Sequence, residues 1–215
     1  MRRPSGGGPP LHETLLLAVA GSLDQVVVRR RHRELGYALA AAVLLDLERT
    51  GRVEVRPDEV LVRDYAAAAD PVGDALLERM VLADRALGAR AWLERGADGA
   101  LSAVRAQLLE AGRMTRVRSS RFGLFPVVGH LPSDAREAAR LAALVRAAAA
   151  AEDPQRAPEG AAARVLATML GAARLGPAMG CAPAPRARCS PAVAVVAGEL
   201  SRAVAAACVP LVFGG

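Results

Sequence analysis

A helix followed at once by a glycine and a two-strand pattern occurs twice in this chain, and that recurrence restricts the fold more than any other feature. From Glu34 to Arg49, Leu35, Leu39, Val43, Leu44 and Leu47 recur at three- and four-residue steps, which puts them on one face of a helix. Gly51 stands where such a helix needs a C-terminal cap. Arg52-Val53-Glu54-Val55 and Glu59-Val60-Leu61-Val62 then alternate polar and apolar residues around Pro57-Asp58, the pattern of a β-hairpin. The arrangement returns later: residues 100 to 111 are helical, Gly112 closes them, and Met114 to Arg118 with Gly123 to Val128 flank a turn at Ser119-Ser120. With so few strands a helical-crossover sheet is excluded, and a single, mainly α domain is expected.

The rest of the chain supplies helices to cover those two units. Residues 1 to 10 are rich in Gly and Pro with no apolar period and predict a disordered arm, leaving 11 to 215 as the domain. Leu11 to Ala20 is densely apolar behind His12 and Glu13, and Gly21 to Asp24 reads as a turn. The β-branched run Val26 to Val28 predicts a short edge strand over the core. Asp70-Pro71 begins a helix to Asp84, with Asp70 as its cap and Asp74 favoured by its N-terminal dipole. Ser133-Asp134 begins another to about Ala151, Glu159 to Ala173 forms a third, and a Pro/Ala-rich loop from Gly176 leads to a closing helix. Glu199, Ser201 and Arg202 interrupt the apolar stretch from Pro191 to Phe213, so a buried helix is expected there instead of a membrane span.

Charge is unevenly placed. All 28 basic residues are arginine, and residues 1 to 33 hold six of them against Glu13 and Asp24, a net +4 out of the chain's +6. An anionic partner is expected at that end. Its densest part is Arg29-Arg30-Arg31-His32-Arg33. Cys181, Cys189 and Cys208 are odd in number and clustered late, which argues against a disulfide framework and for a reducing, cytoplasmic setting. The first ten residues lack the apolar core of a signal peptide.

Catalytic chemistry finds little support. His12, His32 and His130 have no second ligand at helical or hairpin spacing, so no metal site is expected. There is no Gly-x-Ser-x-Gly elbow, no phosphate-binding glycine loop after a strand and no catalytic cysteine motif, and neither an enzyme nor a cofactor is expected.

Several segments, taken in order, resemble the Golgi phosphoprotein 3 family, especially its actinobacterial branch. They are Leu15-Leu16-Leu17-Ala18, the stretch from Ala40 to Leu47 through Gly51-Arg52-Val53, Asp70-Pro71-Val72-Gly73-Asp74 with Leu76-Leu77, Leu108-Leu109-Glu110-Ala111-Gly112, Phe122 to Pro126 with His130-Leu131-Pro132, and Val193 to Ala207. The resemblance spans roughly residues 11 to 212. It implies amphipathic helices around a central helix, two exposed hairpins, no catalysis, and a peripheral membrane or adaptor role through a shallow pocket for phosphatidylinositol 4-phosphate. That pocket, in the family, uses a tryptophan and an arginine around the start of the central helix and two arginines on the helix before the second hairpin. Here the corresponding positions hold Arg31, Ala40, Asp98 and Leu101, and Trp92 lies elsewhere. The candidate lipid-binding residues are therefore Arg29, Arg30, Arg31 and Arg33, with Arg105 the nearest arginine on the later helix. Such a cluster attracts anionic headgroups by charge, each arginine contributing about 1 kcal/mol near an anionic leaflet. A protein partner, or self-association through the apolar hairpin at 122 to 132, is a further expectation. The alternative is a winged-helix nucleic-acid binder, which would need Gly96-Ala97-Asp98-Gly99 to form the turn between two helices.

Overall fold

The computed structural model describes residues 8–66, 70–121, 125–151, 160–181 and 189–208, with the side chains of 119–127 left aside. The predicted N-terminal arm falls almost wholly outside the described residues. In chain order the elements are α1 (Leu11–Ala20), α2 (Gln25–Arg30), α3 (His32–Arg49), β1 (Val53–Val55), β2 (Val60–Val62), α4 (Pro71–Val81), α5 (Ala89–Glu110), β3 (Met114–Arg121), β4 (Phe125–Pro132), α6 (Ala135–Ala150), α7 (Gly160–Ala172) and α8 (Pro191–Ala207). The fold is mainly α, as the periodicity predicts. The strands form two separate antiparallel pairs, β1 with β2 and β3 with β4.

α3 is the centre. It packs on α5, α1, α8 and α4, while α6 and α7 close the far side against α1 and α8. Thirteen of its residues are buried, so it is apolar nearly all round, as a fully surrounded helix must be. α1 is enclosed almost as completely, with nine buried residues that include His12, Glu13 and Thr14.

Those buried polar groups require partners. Pro10 precedes α1 and offers no capping side chain. Asp46, from the last turn of α3, supplies the cap instead: Leu11 N–H donates to Oδ1 at 3.0 Å and His12 N–H to Oδ2 at 3.2 Å. His12 Nδ1 also donates to Oδ2 at 2.8 Å, and Arg49 reaches Oδ1 at 3.0 Å. One carboxylate thus satisfies the exposed amides of one helix from inside another.

The two helix-hairpin units repeat in backbone detail. Gly51 has φ +72° and Gly112 φ +67°, the left-handed cap that only glycine takes without strain. In each, the following arginine donates its N–H five residues back, Arg52 to Leu47 O at 2.9 Å and Arg113 to Leu108 O at 2.8 Å. Each arginine carbonyl then receives the strand that ends its hairpin, from Arg63 N and Ser133 N. Each arginine side chain is paired with a carboxylate from another element, Arg52 with Asp74 at 2.6 Å and Arg113 with Glu13 at 2.5 Å.

Four local expectations need correction. Val26 to Val28 is not an edge strand but part of α2, because the Asp24 side chain accepts from Val26 N and Val27 N and caps a helix there; of the three valines Val28 alone is buried. The second central helix does not start at Ala100 but runs unbroken from Ala89 for 22 residues. The turn of the second hairpin is not at Ser119-Ser120: these pair with Val127 and Pro126, and the strands continue to Arg121 and Phe125. Asp70 occupies the N-cap position of α4 but makes no capping bond, and its Oδ1 instead faces buried His12 Nε2 at 3.6 Å.

Asp46→Ala should lower stability by about 3 kcal/mol in a urea titration, since it leaves His12 Nδ1 and two amides of α1 without their acceptor in the interior.

Candidate functional site

The basic run of the sequence straddles the end of α2 and the start of α3, and the structure divides it. Two adjoining concavities lie between this junction, α5 and β4. The first, of about 230 Å³, is lined by Gln25, Val28, Arg29, His32, Leu101, Arg105, Val128 and His130. The second, of about 280 Å³, is lined by His32, Arg33, Ala97, Asp98, Leu101, Ser102 and Arg105. Arg105, His32 and Leu101 belong to both and form the divide. The pocket positions implied by the resemblance on α5, Asp98 and Leu101, fall on this surface.

Of the five candidate arginines, Arg29, Arg33 and Arg105 come together. Arg30 is exposed on the last turn of α2, and Arg31 turns to Glu34, its Nη1 3.0 Å from Oε1. Neither lines a concavity. Arg33 is held at the rim by donating to Ala207 O at the end of α8, at 2.9 Å.

Arg105 is half-buried, and its Nε is enclosed without a hydrogen-bond partner among the described residues. Burial, and then Arg29 beside it, pushes its guanidinium pKa down from the ordinary value. A guanidinium still keeps its charge under such pressure. The first concavity therefore holds cationic and neutral donors and no carboxylate, while the second adds Asp98 at its edge. An anion is the group this electrostatic arrangement lacks.

The wall opposite α5 is fixed by two side chains of α2. Gln25 holds both backbone groups of His130, donating from Nε2 to its carbonyl at 2.7 Å and accepting its N–H at 3.4 Å. Arg29 donates to Val128 O at 2.8 Å. Sequence reasoning treated His32 and His130 as isolated, yet they line one concavity; the contact joins residues about a hundred positions apart and leaves no local signal. Gln25 was missed for the same reason.

A third concavity, of about 240 Å³, runs between α4 and α5 over Ala40 and Val43 of α3. Its walls are mainly Gly, Ala and aliphatic side chains, with Arg79, Gln107 and Glu110 among its lining. It offers shape but not the concentration of positive charge. Among the described residues no three of His, Cys, Asp or Glu gather as a metal site, and no helix is long and apolar enough to cross a membrane. The 22-residue α5 carries residues 96 to 99 within it, so the turn that a winged helix would need is not formed.

Gln25→Ala should loosen β4 on α2, leaving the Arg29 bond to Val128 as the remaining clip. Amide hydrogen exchange at His130 and its neighbours is expected to accelerate, with a loss of about 1 kcal/mol in overall stability.

The family comparison agrees with this architecture. No curated protein matches the chain, but the family model described as Golgi phosphoprotein 3 (GPP34) matches residues 11–209, nearly its whole length. The chain belongs to the Golgi phosphoprotein 3 family.

Proposed function

We propose that the chain is a peripheral membrane protein that binds anionic lipid headgroups, phosphatidylinositol 4-phosphate or another, in the paired concavities around Arg105. The observation that carries this reading is Arg105 itself, a half-buried guanidinium on a first concavity that has no carboxylate in its lining, with an enclosed Nε that finds no partner among the described residues. Holding a cation that way is unfavourable in the empty protein, and a phosphate oxygen entering the concavity offsets the cost. Arg29 and Arg33 extend the positive surface on either side.

The surroundings suit a bilayer surface. Val26 on α2 is 41% exposed and Val128 on β4 is 47% exposed, and Leu131 on the same strand is 42% exposed. Apolar side chains beside cationic ones are what an interfacial protein presents to the headgroup boundary. The reading calls for binding and orientation alone, with no reacting group.

Vesicle co-sedimentation tests it, with phosphatidylcholine alone or mixed with phosphatidylglycerol or phosphatidylinositol 4-phosphate. Binding should need anionic lipid and weaken with salt. Arg29→Ala and Arg33→Ala should each reduce affinity roughly fivefold, at about 1 kcal/mol apiece, and Arg105→Ala should cost at least as much. Arg30→Ala, which removes charge outside the concavities, should have a smaller effect. Loss of equal size at Arg30 and Arg105 would reduce the site to diffuse surface charge, and absence of binding to every vesicle would end the membrane reading.

A further inference from the structure

The geometry points to His130 as a proton-linked contact of the first concavity, its imidazole taking up one proton from solvent as an anionic group enters. This rests on the anion-binding reading above and adds to it a residue and a dependence that the arginines alone do not supply.

Three observations converge on His130. His130 lines the concavity with Arg29 and Arg105, and both guanidiniums act on its ring charge. Its backbone is held on both sides by Gln25, which keeps the ring at this wall. Among the described residues, the charged groups that face it are positive or a second imidazole: Arg29 from α2, His32 from α3, Arg105 from α5 and Arg116 from β3. Burial, and then Arg105, Arg116 and Arg29, lowers its pKa below the ordinary imidazole value. The ring is thus neutral in the empty site near neutral pH.

An anion among these guanidiniums reverses the balance. It screens the ring from Arg29 and Arg105 and gives a protonated ring an acceptor of opposite charge, so the imidazole pKa rises in the complex. The sign follows: the free protein lacks the proton, the complex holds it, and affinity therefore rises as pH falls. By reciprocity the anion tightens the proton as much as the proton tightens the anion. The neutral ring can also donate one hydrogen bond, so binding persists, more weakly, at higher pH.

The probe is a vesicle of phosphatidylglycerol in phosphatidylcholine, because a phosphodiester keeps its charge over the range studied. Between about pH 8 and about pH 5.5 the wild type should gain roughly tenfold in affinity, the scale expected of one linked proton. His130→Gln should bind at the higher pH and lose most of that gain. In parallel, the histidine ring resonances of the wild-type protein are titrated by NMR with and without inorganic sulfate, and the His130 midpoint should move up when sulfate is present. An equal pH response in wild type and His130→Gln, or a midpoint unmoved under conditions where sulfate binds, overturns the proposal. If His130→Gln does not fold, as circular dichroism would reveal, the NMR titration decides. Sulfate moving the midpoint while no vesicle binds would uphold the proton-linked anion contact and reject the lipid; failure of both sulfate and vesicles to bind would reject the two together.

Discussion

A single buried carboxylate, Asp46, ties the start of α1 to the last turn of the central helix. α1 is enclosed almost completely and begins after a proline, so its first amides can reach neither water nor a local cap. An uncompensated helix terminus in the interior would cost about 1–3 kcal/mol for each unpaired amide. Asp46 resolves this, and in doing so sets where α1 lies along α3. The position of α1 then fixes Glu13 against Arg113 and Gln107, which anchors the beginning of the second hairpin. From one carboxylate the order therefore passes through α1 to β3 and on to the hairpin that forms one side of the basic concavities.

Much of the architecture was legible because it is written in local chemistry. Gly51 and Gly112 stop their helices for a steric reason that acts within a few residues, and the alternation after Gly51 reports the first hairpin just as directly. The errors have local causes as well. Three valines in a row suggested a strand, but β-branching is a weak preference, and two hydrogen bonds from Asp24 outweigh it. Two glycines among residues 96 to 99 suggested a break, but α5 is held along its length by α3 and α8, and tertiary packing overrides propensity there.

The site was legible only in part. The arginine run marks the junction of α2 and α3, and Arg105 stands on the later helix beside it. Nothing in the run distinguished Arg29 and Arg33, which face the concavities, from Arg30 and Arg31, which do not; helical phase and the capture of Arg31 by Glu34 decide that. His12 is a second example. In sequence it is a lone histidine on an apolar stretch, whereas in the fold it lies between Asp46 and Asp70, whose positions depend on α3 and α4 being in place.

The clip between α2 and β4 sets the time at which this surface comes into being. Gln25 and His130 are separated by about a hundred residues, and so are Arg29 and its acceptor Val128. Contacts of that span form late, after the intervening helices have condensed. A chain folded only as far as α4 would carry all four arginines of the basic run and yet have no concavity to place them around. Its charge would be complete while its recognition was not, and the second hairpin, last of the elements lining the first concavity to be synthesised, would convert one into the other.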